Sequence, residues 1–261
     1  MQTLFSIRLF STLVMSSATT KTYCINLDRS TQRLEEFERH NCSAIAYERF
    51  PAVDGKTVAR EGLAYSGLMT PEILQKYKDG AVGAALSHRS LWLQCIADQT
   101  PLTVCEDDAI FHPEFRSIQS RILGTLDGDF DVLLWGWNFD SPMTLSLHGG
   151  VNRCAILGDQ NGLRESIEAF KSAPIRPDVL KLHAALGLVC YTVTPKGAKK
   201  LLERCFPLRP MSVAFPGLSY RVANMGLDVV TGAAYPTMDS YVAFPPPVIT
   251  RNDEAISTIQ S

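Results

Sequence analysis

The chain has 261 residues, a formal net charge of −2 and 46% hydrophobic residues. That is enough apolar sequence for one large α/β domain or two small ones. Near-balanced charge excludes the basic footprint of a nucleic-acid binder and a polybasic membrane patch, so an anionic ligand must be met by local arginines.

Residues 1–20 open with "MQTLFSIRLFSTLVMSS", a moderately apolar stretch interrupted by Arg8. It is too short for a membrane span and lacks the basic n-region of a signal peptide. It reads as a peripheral segment, with Met15 an alternative start and weak membrane-surface contact the alternative role. Residues 21–245 read as the domain proper, and the proline-rich, then polar, residues 246–261 as an irregular tail.

Within the domain, Thr22 to Leu27 is rich in β-forming residues and predicts a strand. Asp28 or Ser30 caps a helix carrying Arg33, Leu34 and Phe37. "AIAYERF" predicts a second strand, closed by Pro51 and a turn at Asp54-Gly55. "TPEILQKY" has a capping Thr70, Pro71 at the first helical position and Glu72 in the first turn, and Gly80 is expected to end this helix. From Ala81 to Ile96 apolar residues recur at helical spacing, with His88 on the apolar face. "DFDVLLWGWN" and "LGLVCYTVT" predict buried strands. Trp135 and Trp137 flank Gly136 and are expected on one side of the first. "PKGAKKLLERC" predicts a helix from Pro195, "PGLSYRVANMG" a helix ended by Gly226, and Leu227 to Val230 a short strand. Strands alternate with helices, which predicts an open α/β sheet in a single domain.

Between these elements lies "LTVCEDDAIF", an apolar run going straight into Glu106, Asp107 and Asp108. In open α/β sheets ligands bind beyond the carboxyl ends of strands, and the three acids sit at such an end. Adjacent carboxylates repel and are costly to desolvate unless a cation compensates them. Mg²⁺ or Mn²⁺ suits oxygen ligands shared with a substrate phosphate. A solvated turn or a cap for the following helix would use the same letters. The seven cysteines are odd in number and widely spaced, with no C-x-x-C pair. They read as small buried hydrophobes in a reducing compartment, and they argue against structural zinc.

The stretches "CINLDRSTQRLEEF", "PAVDG", "GAVGAALSHRSLW", "LTVCEDDAIF" and "CYTVTPKGAKKLL" occur in this order across roughly residues 22 to 205. In them the chain resembles glycosyltransferase family 25, the lipooligosaccharide-type and collagen-type galactosyltransferases. The resemblance implies a GT-A-like open mixed sheet flanked by helices, with Mn²⁺ or Mg²⁺ at the acidic motif. It implies a nucleotide-sugar donor, a UDP-hexose such as UDP-galactose, and a glycan or glycoconjugate acceptor, with inversion at the anomeric carbon. Asn26 and Leu27 would then border the nucleotide, and Arg29 and Arg33 the diphosphate. Asp54 and Gly55 would edge the pocket, and His88 would shape it. Glu106 and Asp108 would hold the metal beside Asp107. The catalytic carboxylate stays open among these acids and Asp159, Glu165, Asp178 and Asp239. A non-catalytic protein keeping the fold and nucleotide pocket is the alternative. The expected place is the cytoplasm, at the inner face of a membrane, in lipopolysaccharide biosynthesis. Ser212 stands where the family carries an acid after a proline. Either Ser212 or a water fills that place, or a later carboxylate, Asp228 or Asp239, reaches in.

Overall fold

A computed structural model describes residues 20–252. The described residues open with β1 (Lys21–Asn26), α1 (Thr31–Asn41) and β2 (Glu48–Pro51). Short helices α2 (Arg60–Tyr65) and α3 (Pro71–Leu74) lead to the long α4 (Asp79–Asp98) and β3 (Leu102–Glu106). After a tight turn come β4 (Ala109–Phe111), α5 (Phe115–Leu126) and β5 (Val132–Gly136). Then follow β6 (Met143–Leu147), β7 (Asn152–Ile156), the short α6 (Gln160–Glu165) and α7 (Ile167–Ser172), and β8 (Asp178–Ala184). The last third holds β9 (Cys190–Val193), α8 (Pro195–Cys205), β10 (Ser212–Ala214), β11 (Arg221–Ala223), α9 (Leu227–Ala234), β12 (Ser240–Phe244) and β13 (Val248–Thr250).

One nine-stranded sheet carries the fold, in the order β2-β1-β3-β9-β5-β12-β8-β6-β7. β1 is parallel to β2 and β3, and β12 is parallel to β5, while β9 runs antiparallel between β3 and β5. This large mixed sheet flanked by helices agrees with the GT-A-like expectation. β5 and β9 are buried along their whole length, which is why "VLLWG" and "CYTV" read as unbroken apolar runs. One core layer joins Leu91 and Trp92 of α4, Leu201 of α8 and Val230 of α9 to Leu134 and Tyr191. The other joins Phe37 of α1 and Phe115 and Ile122 of α5 to Phe111, Leu133 and Trp135.

Several local expectations are corrected. The helix after Thr70 covers only Pro71–Leu74, although Thr70 does cap it through the Ile73 N–H at 3.4 Å; Gly80 lies inside the first turn of α4 instead of ending a helix. The second strand starts at Glu48, not at Ala44. Residues around 212–223 form a hairpin, not a helix, because Pro216 cannot donate a hydrogen bond and Gly217 turns at φ +94°. Leu227–Ala234 is a helix, not a strand, with Leu227, Val230, Thr231 and Ala234 buried at helical spacing. A register shift between Leu134 and Gly136 breaks the alternation of β5. Trp135 consequently packs on Phe115 at 5.3 Å in one core layer, and Trp137 stacks on Phe139 at 4.8 Å in the other. The tail is ordered at least to Thr250, since Val248 and Ile249 are buried as β13 pairs with β4. The expectations for residues 1–19, including membrane contact, fall outside the described residues. Among the described residues no helix is long and apolar enough to cross a membrane.

Candidate active site

The carboxyl ends of β1 and β3 lie side by side, with Ile25 opposite Glu106. The chain leaves the sheet here: β4 pairs with β13 instead, so Asp107 and Asp108 form a turn at the sheet end. A cleft of about 640 Å³ opens at this point. Asn26, Leu27, Arg29, Arg33, Asp54, Gly55, His88, Glu106, Asp107 and Asp108 all line it.

Two further expected acids are elsewhere. Asp159 caps α6, accepting from the Gly162 N–H at 3.0 Å. Asp178 is exposed at the start of β8, four strands along from β3. Neither lines the cleft. Asp239 precedes β12, at the opposite end of the sheet, and is paired with Lys181 at 3.2 Å.

One wall is set by close backbone contact. A Cβ on Gly55 would sit 1.8 Å from the Asp79 carbonyl oxygen, and one on Gly83 would sit 2.3 Å from that of Val53. Only glycine at both places lets the turn 53–55 lie flush on the first turns of α4. The Val53 N–H also donates to Ser87 Oγ at 2.8 Å. Arg29 pairs with Asp54 on this rim.

The three acids of the motif are in different situations. Asp107 accepts from Asn26 Nδ2 at 2.7 Å and from Arg33 Nε at 2.9 Å, with a further bond from Arg33 Nη2. Both its oxygens are engaged. The expected diphosphate role of Arg33 therefore has to share that guanidinium with a carboxylate that already holds it. Glu106 faces His88, whose Nε2 is 3.6 Å from its Oε1. His88 is buried, and its Nδ1 lies 2.9 Å from the Tyr191 hydroxyl, which also accepts from Trp92 Nε1 at 2.8 Å. The buried hydroxyl proton needs an acceptor, and among the described residues His88 Nδ1 is the one bonded to it; the Nε2–H then faces Glu106. Asp108 is the unsatisfied member: its Oδ1 is buried with no hydrogen-bond partner. Burial, and then the charge of Glu106, push its carboxyl up to about 7, against the pull of Arg33 and Thr250.

Asp228 is the acid that the motif could not reveal. It stands in the first turn of α9, lines the same cleft and accepts from the Gly187 N–H at 3.1 Å. Burial, and then the nearby charge of Glu106, raise its carboxyl too, against the pull of the Gly187 N–H. A single carboxylate in the apolar run "GLDVVTGAA" was the available signal. Ser212, by contrast, sits exposed on β10, accepts from Arg221 Nε at 3.0 Å and does not line the cleft. Of the later carboxylates that could stand in for the expected acid, Asp228 lines the cleft and Asp239 does not. Asn138, Tyr220, Arg221 and Met225, which also line the cleft, were not anticipated.

The profile of glycosyltransferase family 25 (LPS biosynthesis protein) matches residues 19–215. A glycosyltransferase 25 family member of Drosophila melanogaster is 33% identical over 127 residues, which cover 44% of this chain and 20% of that protein. One of Anopheles gambiae is 31% identical over 207 residues, 74% of this chain and 30% of that protein. A putative glycosyltransferase of Haemophilus influenzae is 26% identical over 221 residues, 81% of this chain and 67% of that protein. The match thus spans under a third of the insect proteins' length and two thirds of the bacterial one. With the match extending over most of its length, the chain belongs to glycosyltransferase family 25, a family of sugar-transferring enzymes.

Proposed function

We propose that this cleft transfers a hexose from a nucleotide-sugar donor, a UDP-hexose such as UDP-galactose, to a hydroxyl of a glycan or glycoconjugate, with inversion and with Mn²⁺ or Mg²⁺. The observation that carries this reading is the grouping of Glu106, Asp108 and Asp228 in one cleft, where burial and Glu106 raise both aspartates. A set of acids short of positive charge is what a cation-dependent site presents before its cation binds.

The residues present fit such an ion in a limited way. Among the described residues no three His, Cys, Asp or Glu close around a point. A full protein cage is therefore not on offer. Two carboxylates, completed by phosphate oxygens and water, are an ordinary set for Mg²⁺ or Mn²⁺. Glu106 and Asp108 would hold it, and the bare Oδ1 of Asp108 is the oxygen that lacks a partner. When bound, the ion offsets negative charge on a departing diphosphate.

The chain's own groups do the rest. Asp107, tied to Asn26 and Arg33, holds the turn against α1 so that its neighbours keep their aim. His88 orients Glu106. Arg29 on the rim meets the donor phosphates. Asp228 takes the proton from the acceptor hydroxyl; a carboxylate whose proton affinity burial has raised is a stronger base than an ordinary one. The seven cysteines, odd in number and widely spaced with no C-x-x-C pair, fit a reducing, cytoplasmic location.

The test is donor turnover. UDP-sugars would be incubated with Mn²⁺, with and without glycan acceptors, and UDP release measured. We expect release with one donor of the panel, lost in Asp108→Ala together with Mn²⁺-dependent UDP binding. Asp228→Asn should keep UDP affinity and lose most of kcat. Equal metal-dependent UDP affinity in wild type and Asp108→Ala would overturn the metal assignment.

A further inference from the structure

The family match ends at residue 215, but the cleft does not: Tyr220, Arg221 and Met225 line it from the β10–β11 hairpin. The hairpin is firmly seated. Val213, Phe215, Leu218 and Val222 pack with Leu186 and Val229, and the segment after β11 is pinned by Asn224. Asn224 accepts from the Tyr77 hydroxyl at 2.6 Å and donates to the Arg209 carbonyl at 2.9 Å. Strand alternation then turns Arg221 away from the packed face that holds Val222.

What this wall offers is unusual within the cleft. Arg29 and Arg33 are each paired with an aspartate. Arg221 is not: among the described residues no carboxylate pairs with it, and its Nε and Nη2 are braced on Ser212 Oγ and the Ser212 carbonyl oxygen. The brace fixes the guanidinium and leaves its charge uncompensated. Tyr220 and Met225, which line the same cleft, are 64% and 50% exposed. An exposed aromatic ring and an unpaired guanidinium lining one cleft match a sugar ring that carries an acid group: the sugar's apolar face covers the aromatic, and the guanidinium takes the anion through two parallel N–H bonds.

We propose that Arg221 and Tyr220 form an acceptor subsite selective for an anionic sugar, one bearing a carboxylate or a phosphate. This rests on the reading of the cleft as a donor and acceptor site. On the same ground, Ser212 is a positioning residue for Arg221, which gives a role to the serine that departs from the family pattern.

The experiment uses the full chain saturated with UDP and Mn²⁺. Methyl β-D-glucuronide, glucose 6-phosphate and the neutral methyl β-D-glucoside are titrated by saturation-transfer NMR. An anionic sugar should bind about tenfold or more tightly than the neutral one, the size expected for a charge-assisted bond. Whichever anionic probe gains more identifies the acid group. Arg221→Gln should remove that preference without changing UDP affinity, Arg221→Lys should restore part of it, and Tyr220→Ala should weaken charged and neutral sugars alike. Equal or absent binding of charged and neutral sugars by wild type overturns the proposal. So does a loss of UDP affinity in Arg221→Gln, which would assign the guanidinium to the donor diphosphate. Failure of the wild type to bind UDP at all would instead sink the reading of the cleft itself.

Discussion

Asp107 and Asp108 are adjacent in sequence and opposite in circumstance. Asp107 is held by Asn26 and Arg33, in an ion pair whose side chains are only 17% and 10% exposed. Breaking one side of a buried pair leaves an uncompensated charge, at a cost of about 3–5 kcal/mol. Arg33→Ala should lower unfolding stability by that order in urea, and Asp107→Asn in the same background should recover part of the loss. If Arg33→Ala leaves stability unchanged and weakens UDP binding alone, the guanidinium serves the ligand and not the turn. The sequence shows three acids at a strand end. It cannot show which acid is engaged by an arginine 74 residues earlier, nor that Asp228 arrives from 120 residues later. Those partners meet only because β1, β3 and α9 converge on one end of the sheet. His88 was legible on the apolar face of its helix, but the Tyr191 hydroxyl that partners it there was not.

Elements whose signals are local were legible in full. The helix Pro195–Cys205 has its Thr194 cap, with the Gly197 N–H bonded at 3.1 Å, and proline at its first position. The helix expected over 216–226 and the strand expected over 227–230 exchange places because "SYRVANMG" and "LDVVTGAA" carry weak local preference: the hairpin packs on Leu186 and Val229, and α9 on α4, α8 and β8. Helix α4 shows how an element positions the site. Gly55 and Gly83 bring it against the turn that carries Asp54, and both approaches are to backbone atoms, which no side-chain rotation can relieve. Gly55→Ala and Gly83→Ala should each cost about 1–3 kcal/mol as overpacking. Their thermal midpoints should fall while far-UV dichroism is retained. Gly62 in α2 is the control: a Cβ there meets nothing within 4 Å. Gly62→Ala should therefore stabilise by about 0.4–1 kcal/mol through the unfolded chain. A fall in midpoint for Gly62→Ala would contradict this account of the region.

At the scale of the whole molecule, the cleft stores unfavourable charge that protons relieve and that the proposed cation would relieve. The Asp108 carboxyl is raised from 3.8 to about 7, so the folded state holds a proton that the unfolded chain has already released over that interval. Its contribution to stability is complete below the unfolded value and is lost as pH climbs toward 7. Asp228 acts with the same sign. Other groups act with the opposite sign. His40 and His183 are held below the ordinary histidine value by burial and by nearby cations, and Lys181 holds Asp239 low, so their stabilisation is lost as pH falls. The difference between wild type and Asp108→Asn isolates the term of interest. Measured without metal, the variant's thermal midpoint should gain on that of wild type between pH 4 and about 7 and then level off. Mn²⁺ should reverse the order above pH 7, because a ligand that binds only the folded state stabilises it, by about 2.7 kcal/mol at a hundred times its dissociation constant. At pH 5 the same Mn²⁺ concentration should do little, since the ion must displace the proton on Asp108. A wild-type midpoint that Mn²⁺ raises equally at pH 5 and pH 8, or that it raises as much in Asp108→Asn, would place the cation away from this carboxylate.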